Sequence, residues 1–599
     1  MLLDWIDWTI VGVFLLATLA VGLAVMKRAG SSSAEFFLSG RGMPWWLLGM
    51  SMVATTFSAG TPNLVTDLVR QKGVAGNWVW WAFLLTGMMT VFVYAKLWRR
   101  SGVMTDIEFY ELRYSGKPAA FLRGFRAVYL GVLFNVLVMA SAMLAVIKVA
   151  GALLGASPVE TVLVAGAVTV IYSMMGGLTG VLLTDFLQFF IAMAGAIAAA
   201  VYLVNIDAVG GMTALLSHEQ VVPKLAMFPD VQNTDLLMAV FIIPLTIQWW
   251  SVWYPGAEPG GGGYIAQRML AAKNEAHATG ATLLFNVAHY ALRPWPWIVV
   301  ALCSIVVFPT LESIQAALPN IDPKIVEHDL AYPAMLTLLP SGLRGLMLAS
   351  LMAAFMSTLS THLNWGASYV VNDCYRRFLR PGASERELVA AGRLCTLLSM
   401  ILACLLGLGL SNAVQAFQII LQVGAGTGLL FILRWFWWRI NAYSELTAMV
   451  CSFVMAVALQ LLSPEGIEDW VKMVVGVGVT TVAWVSVTLL TRPTAEATLR
   501  DFCIRIRPGG PGWRAVARRA EAAGAPLPGA ELPWGVPREI ACMLLGCSLV
   551  YSALFATGYW LYGRSMLGTV FTGIAVLSGV LLALAWRRVN ETRHQATEP

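Results

Sequence analysis

The sequence predicts an all-α polytopic membrane protein. Three observations carry that prediction. The chain is 58% hydrophobic and only 12% charged over 599 residues, against about 25% charged in a soluble domain. Its mean hydropathy is +0.72. Its apolar residues fall in runs of about 20, the length that crosses a bilayer as a helix.

About fifteen such runs follow one another: 5–26, 44–69, 77–97, 122–153, 157–175, 179–204, 234–254, 276–308, 342–373, 388–409, 412–433, 441–462, 470–491, 538–560 and 566–587. The net charge of +6 is sorted by side. Counting spans from an outer N-terminus, the inner loops hold Lys27, Arg28, Arg41, Lys96, Arg99, Arg100, Arg113, Lys117, Arg123, Arg126, Arg268, Lys273, Arg376, Arg377, Arg380, Arg386, Arg434, Arg439 and a basic cluster from Arg492 to Arg538. The outer loops hold few: Arg70, Lys72, Lys224, Lys324 and Arg564. The positive-inside rule then places the N-terminus outside and the C-terminus inside. Asp4 and Asp7 precede any basic residue, which argues against a cleaved signal peptide. The eight cysteines form no CxxC pair and read as apolar fillers.

The organisation expected is a leading span and inner loop over 1–43, a five-span unit over 44–204, an outer loop over 205–233, and a second five-span unit over 234–433 with an outer insertion at 309–341. Accessory spans follow over 434–491, then a basic inner segment over 492–537, then two accessory spans and a short tail over 538–599. In the basic segment, WRAVARRAEAA reads as a short helix on anionic lipid or as a solvated linker. The 309–341 insertion reads as short helices capping the transport path.

Two spans are broken. In the first, SMVATTFSAGTPNLV puts Thr55, Thr56, Ser58, Gly60, Thr61 and Pro62 at mid-membrane depth, where Gly and Pro interrupt the helix. The second break is YPGAEPGGGG at 254–263, with two prolines and five glycines. Non-helical backbone at membrane depth is tolerated only inside protein or beside a cavity, and paired interrupted spans point to a transporter site. The breaks lie five spans apart. An odd repeat forces the two units to lie inverted in the membrane. Taken alone, either break also reads as a kinked helix or a loop.

Residues 351–368, LMAAFMSTLSTHLNWGAS, carry hydroxyls at Ser357, Thr358, Ser360 and Thr361. Clustered oxygens in hydrocarbon are costly unless something binds them, and a dehydrated Na⁺ takes oxygen ligands. Residues 54–57 can supply carbonyls, and Ala354, Ser357 and Thr358, which share one helix face, the facing set. A single hydroxyl of this group can also bond back to its own helix. Asp185, in GGLTGVLLTDFLQFF, is an intramembrane carboxylate and a functional candidate by default. It reads either as part of a second cation site beside Ser360 and Thr361, or as the partner of an inner-side Arg.

GGLTGVLLTDFLQ, QRMLAAKNEAHATG and MSTLSTHLNWGAS, in this order, resemble the sodium:solute symporter family over about residues 5–440. The resemblance implies a LeuT-like core of five plus five inverted helices, one leading helix, about four trailing accessory helices, and Na⁺-driven uptake by alternating access. Carried across, the main Na⁺ site would use the carbonyls of Ala54, Phe57 and Ala354 and the hydroxyls of Ser357 and Thr358. A second Na⁺ in some members is held by an Asp and two hydroxyls, which match Asp185, Ser360 and Thr361.

The candidates for solute contact are Thr56, Ser58, Trp253, Tyr254, Glu258 and Gln422. Trp253 and Tyr254 stack on a ring or close the inner gate; equally, they belong to the aromatic belt at the interface. Gln422 bonds a polar solute or a neighbouring helix. Arg293, in HYALRPWPW, would suit a carboxylate through a bidentate pair. Lys148 reads as snorkelling to the outer interface, and His289 and His362 as packed, hydrogen-bonded residues.

The function expected is a Na⁺-coupled symporter importing a small polar organic solute (sugar, amino acid, carboxylate or similar), with one or two Na⁺, in a plasma membrane such as a bacterial inner membrane. Its partners are the solute and the lipid bilayer, with no nucleic acid. A proton-coupled carrier of the same shape and a transporter-like sensor are the alternatives. The chain has no GxxxxGK[ST], HExxH or GxSxG motif, and an enzyme is not expected.

Overall fold

The computed structural model describes residues 3–252, 258–319, 321, 323, 326–410, 424–462, 467–528 and 534–595. The candidates Trp253, Tyr254 and Gln422 lie outside the described residues. Among the described residues the regular elements are all helices. Its membrane elements in chain order are α1 (Trp5–Ala29), α2 (Trp45–Thr55), α3 (Thr61–Lys72), α4 (Val74–Ser101), α5 (Gly116–Leu154), α6 (Pro158–Val204), α7 (Thr234–Thr246) and α8 (Gly263–Ala271). They continue with α9 (Glu275–Val307), α10 (Leu343–Leu379), α11 (Glu385–Gly409), α12 (Gly424–Leu433), α13 (Ala442–Leu462), α14 (Asp469–Leu490), α15 (Val536–Leu561) and α16 (Ser565–Gln595). Eleven of the described helices are long and apolar enough to span a bilayer.

The runs 157–175 and 179–204 fuse into the 47-residue α6. Gly177 divides it, with φ +50° and ψ −156°. A side chain there would strain the backbone, and its Cβ would meet the Phe36 carbonyl oxygen at 2.8 Å.

The first break is present. Helix α2 stops at Thr55 and α3 starts at Thr61, with Pro62 in its first turn. In between, Phe57 N–H donates to the Ala54 carbonyl (3.0 Å) and Thr61 N–H to the Ser58 carbonyl (3.0 Å), so the i→i−4 ladder lapses. The second break is also present in its described part. After a short turn at Gln248–Trp250, Ser251 and Val252 are non-helical, and so are residues 258–262; the helix resumes at Gly263, whose N–H donates to Asp106 Oδ2 (2.8 Å).

Packing brings both breaks to the centre. Helix α2 lies between α6 and the first half of α9, α3 packs on the second half of α9, and α10 runs along α6. Helix α1 packs on α6 and α10. Asp7, buried on α1, accepts from the N–H groups of Gly342 and Gly345 (2.7 Å each) at the start of α10, satisfying orphan donors of a helix end. Helix α9 carries a widened turn over Ala288–Leu292, closed by Arg293 N–H on the Ala288 carbonyl (3.2 Å). Such turns recur at functional sites.

Three expectations are revised outside the centre. The basic segment holds two helices, Glu496–Ile506 and Arg514–Ala522. Val516 and Ala520 are buried in protein, and Trp513 Nε1 donates to the Trp435 carbonyl (2.9 Å). One face of the helix is therefore docked on the bundle, and the segment is not a free linker. Lys148 does not snorkel to lipid; it pairs with Asp329 (3.0 Å) of the 309–341 insertion, whose short helices are Leu311–Ala317 and Ala331–Leu336. Arg126, Arg268 and Arg434, counted among loop charges, are buried.

Candidate functional site

The break at 56–60 and the hydroxyl ladder of α10 meet. Thr358 Oγ1 donates within 2.9 Å of the Thr55 carbonyl and 3.0 Å of the Ala354 carbonyl. Thr55 Oγ1 lies 2.9 Å from Thr361 Oγ1. Ala54, Phe57, Ala354, Ser357 and Thr358 are all buried. The lapse of the ladder leaves carbonyls on α2 with spare lone pairs, and α10 offers oxygen donors opposite. This is a nearly neutral set of hard ligands suited to an alkali cation.

Asp185, fully buried on α6, reaches into the same cluster. Its Oδ1 accepts from Ser357 Oγ (2.5 Å) and its Oδ2 from Ser51 Oγ (2.5 Å). A serine that gives its proton to a carboxylate turns its lone pairs the other way. Arg268, on α8 directly after the second break, closes the cluster. Its Nη2 donates to Thr361 Oγ1 (2.7 Å) and lies 3.7 Å from Asp185 Oδ2; Nε and Nη2 also reach Ser51 Oγ.

The residues named for a second sodium site are engaged within the protein as follows. Ser360 turns its hydroxyl onto its own helix, to the Ser357 carbonyl (3.1 Å). Thr361 accepts from a guanidinium. A fixed cation, Arg268, already balances Asp185. The sequence signal was the QR pair following a broken helix, which a loop-charge count absorbs.

A cavity of about 300 Å³ opens beside the break, at the small end of ligand pockets. Thr56, Ser58 and Thr358 line it, with Asn63, Asp67, Trp80, Phe83, Lys148, Tyr264, His289, Tyr290, Arg293, Asp329 and His362 among others. Ser58, Asp67 and Asp329 are partly exposed, whereas Tyr264, His362 and Thr358 are buried. The exposed residues belong to the break, α3 and the 309–341 insertion, so the cavity is reached from that side. Trp80 stacks on Tyr290 (5.9 Å, 24°). Thr56 Oγ1 accepts from Arg293 Nη1 (3.0 Å) and sits 3.0 Å from His289 Nδ1. His362 Nδ1 meets Asn135 Oδ1 at 2.6 Å.

Glu258 lies elsewhere. It is buried between two arginines, Arg126 and Arg434, and Arg434 also approaches Glu445 (3.4 Å). Glu258 therefore ties the second break to α5 and to the end of α12, and it does not line the central cavity. Glu258→Gln is expected to destabilise the protein by about 3–5 kcal/mol, because it leaves buried guanidinium charge short of a partner. Thermal unfolding in detergent reads this directly; an unchanged midpoint would show that the pairs contribute nothing.

Helices broken at the membrane centre, facing an intact hydroxyl-bearing helix, define a LeuT-like secondary transporter. The profile of the sodium:solute symporter family matches residues 36–452, and the chain belongs to that family. It is 27% identical over 478 residues to a sodium/glucose cotransporter of Vibrio parahaemolyticus, covering 77% of this chain and 86% of the relative. It is 28% identical to a sodium/mannose cotransporter of Bos taurus, covering 77% and 80%. Among solved structures, the substrate-bound outward-open state of a Na⁺-coupled sialic acid symporter superposes with a TM-score of 0.64 at 20% identity, covering 82% of this chain and 99% of the other. That likeness concerns the fold.

Proposed function

We propose that the chain imports a small polar organic solute together with Na⁺ by alternating access, across a plasma membrane such as a bacterial inner membrane, with the N-terminus outside and the C-terminus inside. The observation that carries this reading is the approach of Thr358 Oγ1 to within 2.9 Å of the Thr55 carbonyl, at the point where α2 breaks. Na⁺ would be held by the carbonyls of Ala54, Phe57 and Ala354 and the hydroxyls of Ser357 and Thr358. Residues 44–204 and 234–433 would be the two inverted units. The sorted loop charges support the orientation. The curated relatives named for glucose and mannose support a solute of monosaccharide size, which the cavity volume suits.

The ion would bridge α2 and α10 and favour one conformation. Its release on the other side would remove that bridge, and by linkage solute and ion strengthen each other's binding. Each charge crossing 100 mV supplies about 2.3 kcal/mol. One Na⁺ per cycle fits the arrangement, because Arg268 already neutralises Asp185 within the cluster.

The test is thermal unfolding of the purified protein in NaCl against choline chloride, followed by uptake of any stabilising solute into proteoliposomes. A Na⁺-specific rise in the midpoint is expected. Uptake driven by a pH gradient with no Na⁺ present would overturn the coupling in favour of protons.

A further inference from the structure

Arg293 is 1% exposed and lines the central cavity. The rings of Phe57 and Trp297 lie against its guanidinium, with centroids at 5.5 and 5.1 Å. Its Nη1 donates to the Val53 carbonyl (3.2 Å) and to Thr56 Oγ1 (3.0 Å). Those two bonds tie it to the end of α2 and occupy one nitrogen. Nε has no hydrogen-bond partner, and no bond is made by Nη2 or ion pair by the side chain among the described residues. Of the other charges of the cavity, Lys148 pairs with Asp329 (3.0 Å), and Asp67 accepts from the neutral Gln71 side chain (2.7 Å) with no ion pair among the described residues. Asn63, a buried residue that also lines the cavity, has an unpartnered Oδ1.

A buried cation without a counter-ion is costly. Holding the broken helix needs only Nη1 and does not account for the free edge. The Nε–Nη2 edge is a planar fork that matches a carboxylate with two parallel N–H···O bonds. An Asn carbonyl oxygen accepts from a hydroxyl.

We propose that the transported solute is a small hydroxy-carboxylate, its carboxylate paired with the guanidinium of Arg293 and a hydroxyl bonded to Asn63. This rests on the symporter reading above and narrows its solute class. An anion there also offsets two positive charges at once, Arg293 and the Na⁺ proposed beside Ala54 and Phe57. Binding of ion and solute would then be favourably coupled through charge as well as shape.

The test uses the full-length purified protein and matched pairs added as potassium salts or neutral solutes: glucuronate and glucose, glycerate and glycerol, lactate and lactamide. Thermal midpoints are read in NaCl and in choline chloride. At least one acid is expected to raise the midpoint in NaCl while its neutral partner does not. Arg293→Gln is expected to weaken that response about 30-fold or more in apparent affinity, the scale of lost bonds to a charged group, and Asn63→Ala to weaken it by a smaller factor. The Na⁺-induced shift of each variant reports whether it is folded, and the wild-type panel decides the question by itself if a variant is not. The proposal is overturned if no acid outperforms its neutral partner, or if folded Arg293→Gln keeps the acid response. Failure of the symporter reading looks different: Na⁺ alone then gives wild-type protein no shift.

Discussion

Thr358→Ala should raise the apparent Na⁺ constant by about tenfold to a hundredfold, the scale of about 1.5–3 kcal/mol for an oxygen bonded to a charge. Thr358 Oγ1 touches the chain on both sides of the proposed ion, at the Thr55 and Ala354 carbonyls. Removing it deletes one ligand of about five and also one of the hydrogen bonds that join α2 to α10. Thr358→Val removes the oxygen while keeping the volume, and should behave like the alanine. Thr358→Ser keeps the oxygen and should stay near wild type. The measurement is the thermal midpoint as a function of Na⁺ concentration, since a ligand that binds the folded state alone stabilises it by RT ln(1 + [L]/Kd), about 2.7 kcal/mol at a hundred times Kd. Superimposable Na⁺ titrations for wild type, Thr358→Ala and Thr358→Val would remove the ion from this place.

The breaks were legible because Gly and Pro at membrane depth have few other meanings. Residues 56–60 sit where the composition puts the interruption, and the STLST ladder meets them as helical spacing requires. Arg268 was misread because charge sorting treats every arginine near a helix end as a loop residue. The structure places it in a run, Gly263–Ala271, buried along its whole length. Glu258 was grouped with the solute contacts because it shares a segment with the second break. Its partners Arg126 and Arg434 lie far off in sequence, and no local pattern encodes such a pairing. The same holds for Lys148 and Asp329, whose meeting depends on how the 309–341 insertion folds over the cavity. Local breaks are written in composition, whereas charge pairing across the bundle is written only in the fold.

Asp185→Asn tests how many ions the cluster serves. The substitution removes the charge but keeps an acceptor for one of the two serines, Ser51 or Ser357, and leaves Arg268 buried without a carboxylate. Breaking a buried pair from one side costs about 3–5 kcal/mol, so a clear drop in the thermal midpoint is expected. The double variant Asp185→Asn/Arg268→Gln should recover part of that loss, because neither charge is then stranded. Na⁺ affinity should fall in both variants, since Ser357 no longer gives its proton to a carboxylate and its oxygen becomes a poorer ligand. The Na⁺:solute ratio, measured as paired fluxes in proteoliposomes, should stay the same. If instead Asp185 with Ser360 and Thr361 holds a second Na⁺, Asp185→Asn lowers the ratio by one ion. Arg268 would then have to leave Thr361 during the cycle, and Arg268→Gln alone would tighten Na⁺ binding. With Arg268 as the resident counter-ion, Arg268→Gln strands Asp185 and destabilises the protein by a similar amount.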